Sequence, residues 1–249
     1  MPGPDPAANE PAHALNAAIR DLIEVVRTSD LDAVDDAVIA AHTAAVAGVA
    51  DTLRPHVVDE IRMQAALRYD ALDSEAGARM IDVQDLSVDE YIAADRPNPE
   101  TIFPYSPVVG ARNPLSPPVR MWRAAGEDDD GAARGELHGE AVLGDAYNGP
   151  PGSVHGGVIA QVFDELLGCL CVTKGIGGFT GTLTVIYRNT TPLNTPITLR
   201  AWHDRTEGRK VFAKGTMHHR DTLCAEAEGI FILSEALSPS GGAPPGPVA

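Results

Sequence analysis

From Val158 to Val172 the chain is apolar on most sides, carrying Val158, Ile159, Val162, Phe163, Leu166, Leu167 and Leu170. The run is too long for an ordinary strand. It predicts a helix, and a helix without a continuous polar face has to be buried. Gly156-Gly157 opens it and Gly175 closes it. What covers it must come from the segments on either side, and those have the texture of strands.

Glu136–Leu143 alternates Leu137, Ala141 and Leu143 with His138 and Glu140. Phe179–Arg188 is rich in threonine and β-branched residues. Ile197–Arg205 runs into a turn at Glu207-Gly208 and continues as Arg209–His219. A second turn at Arg220-Asp221 leads into Leu223–Leu233, which alternates small and apolar residues with Glu226 and Glu228. Period-two alternation with turns of this kind predicts an antiparallel meander. The expected order is strand, strand, buried helix, then four strands, an α+β arrangement with the sheet wrapped around the helix.

Upstream the period changes. Leu15, Ile19, Leu22 and Val26, then Val34, Val38, Ala45 and Val49, follow helical spacing. Thr28-Ser29-Asp30 supplies N-cap candidates between them. This predicts an acidic helical hairpin within a helical extension over 13–103, ahead of a strand-rich domain over 104–237. The first dozen residues and the tail over 238–249 are rich in Pro, Gly and Ala and are expected to be disordered.

Composition narrows the function. The formal charge is −16 over 249 residues, which argues against a chain that coats nucleic acid or an anionic membrane. Most of that charge is local: residues 1–100 hold 20 acidic and 7 basic side chains, whereas residues 101–249 hold 15 and 12. Between Arg188 and Arg220 the sign reverses, with Arg188, Arg200, Arg205, Arg209, Lys210, Lys214 and Arg220 against Asp204 and Glu207. That strip is either a solvated strand-and-turn surface or a site for a polyanionic small molecule. No apolar run reads as a membrane span, the N-terminus has no leader signature, and three cysteines make no disulfide framework, so the expected setting is cytoplasmic.

The chemistry concentrates in Tyr147–Asp164, YNGPPGSVHGGVIAQVFD. Its prolines and glycines lead to a helix start at His155-Gly156-Gly157, where free N–H groups and the helix dipole suit an oxyanion or a polarised carbonyl. The plainer reading is a tight turn packed against a helix. Asp164 lies one turn beyond Gln161 on an otherwise apolar helix, and a carboxylate there needs a partner or a task. The plainer reading places it with Glu165 on a narrow exposed face. Nine residues of helix separate His155 from Asp164 by roughly 13 Å, so the two cannot act on one bond within one chain. Acting together, they require a site shared across a two-fold axis.

These residues resemble the hotdog-fold thioesterases of the PaaI-like group, which includes the THEM-type acyl-CoA thioesterases. The pattern is G-P-P-G-x-V-H-G-G at Gly149–Gly157, Asp164 nine residues after the histidine, Thr180 sixteen later, and E-G-R-K at Glu207–Lys210. The strand Ala225–Ile232 resembles the family's last strand, and the likeness covers about Val108–Glu235. The resemblance implies hydrolysis of fatty acyl-CoA to fatty acid and coenzyme A, by a homodimer or a dimer of dimers, without a cofactor or metal. It implies an oxyanion hole at the Gly156 N–H and Asp164 of the partner chain as general base or nucleophile. Thr180 would orient the water or the carboxylate, and His155 would shape the turn or contact the carbonyl. Gly157 and Gln161 would line the substrate, and Arg209 and Lys210 would hold coenzyme A phosphates. Asn148 lies close to, and one residue out of register with, a polar position of the family, and Glu165 is placed to share the acid's role. A non-catalytic acyl-CoA binder is the alternative; the local pattern of the hotdog dehydratases is absent.

Other schemes find little support. Cys169 and Cys171 read as core, Cys224 lies in a strand, and no G-x-S-x-G elbow exists. Adjacent His218 and His219 point to opposite faces of a strand, which disfavours a metal site with Asp221. Gly175, Gly177 and Gly181 miss dinucleotide-binding spacing.

Overall fold

The computed structural model describes residues 11–57, 99, 103–117, 119–123, 135–174, 176 and 178–233. Most of the extension beyond 57, Gly175 and both Pro/Gly-rich ends, including their expected disorder, lie outside these residues.

Three helices and six strands are used below: α1 Pro11–Thr28, α2 Asp36–Leu53, β1 Arg120–Arg123, β2 Leu137–Val142, α3 Gly156–Thr173, β3 Gly178–Tyr187, β4 Pro196–Glu207, β5 Lys210–His219 and β6 Thr222–Leu233. The strands form one antiparallel sheet in the order β1-β2-β4-β5-β6-β3. The helix therefore carries the chain from β2 across to the far edge, where β3 pairs only with β6. Two-residue connections link β4 to β5 and β5 to β6, with left-handed backbone at Gly208 and Arg220.

Helix α3 is the core. Ile159, Val162, Phe163, Leu166, Leu167 and Leu170 are buried against Leu137, Ile197, Leu199, Ala213, Met217, Ala227 and Phe231 from the sheet. Burial of each such Leu, Ile or Phe side chain is worth about 1.5–3 kcal/mol. At 18 residues the helix is as long and apolar as a membrane span, longer than the apolar run suggested. It nonetheless packs under this sheet and carries two carboxylates. Gly157, Gln161 and Asp164 remain exposed, one narrow stripe at i, i+4 and i+7.

Residues 103–117 have no regular structure yet pack into the same core through Phe103, Val108 and Val109. Buried Ser106 accepts hydrogen bonds from the N–H groups of Val108 and Val109, closing a tight turn.

The two N-terminal helices are present, but two expectations about them are corrected. The cap of α2 is Asp35, which accepts from the Ala37 N–H at 2.8 Å. Thr28 and Ser29 instead bond back to the Glu24 and Val25 carbonyls and finish α1. Nor do the helices form a packed hairpin: α1 lies against the 3-10 turn Asp145–Tyr147. It docks by a largely polar face, with Asn16, Arg20 and Glu24 half-buried beside Ile19 while Leu15, Leu22 and Val26 are exposed.

Candidate active site

His155 is the N-cap of α3, in extended conformation, and its Nδ1 accepts the Gly157 N–H at 2.9 Å. This satisfies one orphan donor of the first turn. The His155 carbonyl takes the N–H groups of Val158 and Ile159, and among the described residues no acceptor meets the Gly156 N–H. That group is available to a ligand oxygen, at the positive end of the helix dipole. The preceding loop is fixed by its own backbone: His155 donates to the Tyr147 carbonyl, Gly149 to that of Ser153, and Val154 to that of Thr191. The Tyr187 hydroxyl donates to the Gly156 carbonyl at 2.8 Å, tying the helix start to the edge strand.

Asp164 stands farther along the exposed stripe, where its Oδ1 accepts the Thr180 hydroxyl at 2.9 Å. A bulge in β3 makes this contact possible. Thr180 pairs with inward-facing Phe231, while Thr182 pairs with the very next residue, Ile230, leaving Gly181 unpaired between them. The extra residue turns Thr180 toward the helix although Thr182 and Thr184 keep the outward parity of Ile230 and Glu228. Glycine suits the bulge: a Cβ at Gly181 would stand 2.9 Å from the Ile232 side chain and force it to shift.

Glu165 faces another way. Its Oε1 accepts the Ser106 hydroxyl at 2.6 Å, and burial raises its pKa above the usual carboxylate value, with a smaller contribution from the neighbouring Asp164 charge. Adjacent in sequence, the two acids are 100° apart on the helix. Asp164 faces solvent beside a hydroxyl, whereas Glu165 braces residues 103–117. Gln161 and Gly157 share the stripe of Asp164. Asn148 accepts from Arg27 of α1 at 2.8 Å.

The basic strip resolves into pairs. Arg188 bonds Glu226, Arg200 grips Glu136 through two nitrogens, Arg205 holds Asp204 and Glu207, and Lys214 reaches Asp204. The bond to Arg200 pulls the Glu136 pKa down. Arg209 and Lys210, at the β4–β5 turn, stay exposed, with Arg209 donating to the Leu233 carbonyl and, among the described residues, to no carboxylate. Lys210 and Phe179 both pair with Ile232, so that turn lies level with Thr180, two strand spacings or about 10 Å away.

The sequence reading missed Ser106, Tyr187, Glu24 and Arg27. Ser106 stands between Pro104 and Pro107, just ahead of the apolar pair Val108-Val109, a usable signal; the other three sit in unremarkable context. The three cysteines are buried, and burial pushes the Cys171 thiol up to about 12, far from a reactive thiolate. Among the described residues no cluster of His, Cys, Asp and Glu could hold a metal ion.

Residues 151–226, which span both halves of this constellation, match the family model of the thioesterase superfamily. The chain is 33% identical over 93 residues to the acyl-coenzyme A thioesterase THEM4 of Mus musculus, covering 36% of this chain and 40% of that protein. It is 37% identical over 91 residues to THEM4 of Xenopus laevis, covering 36% and 41%. The match thus spans about two fifths of the length of these curated relatives. A crystal structure of a thioesterase superfamily protein matches along 93% of this chain and 94% of its own, with 25% identity and a TM-score of 0.66. The sheet wrapped on α3, with its glycine-led helix start and its Thr180-bonded Asp164, has the hotdog fold, and residues 151–226 within it match the thioesterase superfamily.

Proposed function

We propose that this chain hydrolyses fatty acyl-CoA thioesters to a free fatty acid and coenzyme A, as a homodimer. The observation that carries the reading is Asp164 and its Thr180 hydrogen bond on the exposed stripe of a buried helix. A carboxylate so placed, with a free N–H of the same helix about 12 Å away, makes two half-sites rather than one site. A second copy joined at the exposed ten-residue edge strand β3 brings the halves of opposite chains together. The naming of the curated relatives as acyl-CoA thioesterases supports the substrate class.

In this scheme the Asp164 carboxylate takes a proton from a water oriented with the help of Thr180. The water oxygen bonds to the acyl carbon, and the resulting oxyanion rests on the partner's Gly156 N–H. Collapse breaks the carbon–sulfur bond, and the leaving thiolate receives the proton held by Asp164. Arg209 and Lys210 hold the phosphates of coenzyme A.

The test is release of free thiol from a panel of acyl-CoA chain lengths, alongside the mass of the protein in solution. Wild type is expected to turn over as a dimer, and Asp164→Asn to lose about 100-fold or more in kcat while still binding acyl-CoA. Binding without thiol release would favour the non-catalytic reading, and an active monomer would refute the shared site.

A further inference from the structure

We infer that α1 is a brace for the active-site loop, with Glu24 and Arg27 as positioning residues for Asn148 and for the start of α3. The inference rests on the hydrolase reading above.

Three side chains on one face of α1 make the contact, at i, i+4 and i+7. Arg20 donates to the Asn113 carbonyl at 3.1 Å. The Glu24 carboxylate accepts two backbone donors at once, Asp145 N–H at 2.6 Å and Ala146 N–H at 2.8 Å. These are unpaired donors at the start of the 3-10 turn Asp145–Tyr147, which has no side-chain cap of its own. Arg27 donates to Asn148 Oδ1 at 2.8 Å.

The braced residues lead straight to the site. The Tyr147 carbonyl receives the His155 N–H, and Asn148 bridges to Val154, so the turn held by Glu24 sets where His155 and Gly156 begin the helix. With Oδ1 engaged by Arg27, the Asn148 amide keeps its NH2 donors for another partner, which suits a substrate oxygen.

The polarity of the docking face points the same way. A helix that only stabilised the domain would bury its apolar stripe. Helix α1 instead turns charged residues inward onto loop backbone, half-buries only Ile19 of that stripe, and leaves Leu15, Leu22 and Val26 exposed. Residues that break the local pattern in this way are characteristic of functional placement.

The test uses the full chain with Glu24→Gln, Arg27→Met, Arg27→Lys and Asn148→Ala, and Asp164→Asn as a separate control. Arg27→Met is expected to lower kcat about tenfold with KM nearly unchanged, and Arg27→Lys to restore most of the loss. Combining Arg27→Met with Asn148→Ala should cost no more than Asn148→Ala alone. In Glu24→Gln, amide exchange should accelerate about tenfold or more at Asp145 and Ala146 while β4–β6 keep wild-type protection. Wild-type kcat in Arg27→Met, a change confined to KM, or exchange that rises uniformly through the sheet would each overturn the brace. A wild type without thioesterase activity, or full activity in Asp164→Asn, would sink the hydrolase reading instead, and the exchange experiment would still decide whether Glu24 holds the loop.

Discussion

Neutralising Asp164 and Glu165 one at a time tests the proposed division between a catalytic carboxylate and a structural one. Glu165 has a folded-state pKa above its unfolded value because burial disfavours its charge. Its folded form therefore holds the proton more tightly than the unfolded chain does. Stability from this group is complete below the unfolded pKa and declines as pH rises toward the folded one. One carboxyl can impose a slope of at most about 1.4 kcal/mol per pH unit in that window. Glu165→Gln removes the decline while its amide oxygen still accepts the Ser106 hydroxyl. Urea unfolding from pH 4 to 8 should show Glu165→Gln equal to wild type in acid and more stable at neutrality, with kcat within about threefold. Asp164→Asn should lose about 100-fold or more in kcat and keep most of the pH dependence of stability, losing only the smaller part that its own charge adds to the Glu165 shift. If Glu165→Gln were inactive and Asp164→Asn active, the roles drawn from the two hydrogen bonds, to Thr180 and to Ser106, would be refuted.

Gly181→Ala places a methyl against Ile232 and should disturb the bulge that aims Thr180. The expected result is about 1–2 kcal/mol of destabilisation in thermal or urea unfolding, with a kcat loss of about tenfold or more. Replacing both Arg209 and Lys210 with Ala should weaken coenzyme A binding by about tenfold and flatten its salt dependence, read by calorimetry. Arg200→Ala should leave that affinity unchanged, because Arg200 is already committed to Glu136.

Periodicity made much of the sheet-and-helix architecture legible, since an apolar run of that length leaves few ways to be covered. The glycine-led helix start at Gly156 and the lone acid Asp164 stood out from the residues themselves, Thr180 entered only through the resemblance to the hotdog thioesterases, and the structure brings Asp164 and Thr180 into contact. Three things stayed hidden for physical reasons. The bulge at Gly181 shifts parity within a strand, and no period-two count anticipates a one-residue insertion. The different duties of Asp164 and Glu165 depend on Ser106, which lies 59 residues from Glu165. The basic strip looked like one feature because formal charge ignores pairing: nearby carboxylates take up Arg188, Arg200, Arg205 and Lys214, leaving Arg209, Lys210 and Arg220 without a carboxylate partner among the described residues.

The extension shows how far a hydrophobic stripe constrains structure. Spacing identified a face on α1, but a stripe specifies only that some surface is apolar, not what covers it. In this fold the polar face turns inward, because the neighbouring surface is loop backbone with unpaired N–H groups at Asp145 and Ala146, and a carboxylate satisfies them better than leucine could. The same choice leaves the extension attached to the loop ahead of α3 by charge-assisted bonds rather than by buried area. Such bonds depend on direction, whereas burial of apolar area does not. A helix held in this way constrains the position of Tyr147 and Asn148 more closely than it stabilises the domain as a whole.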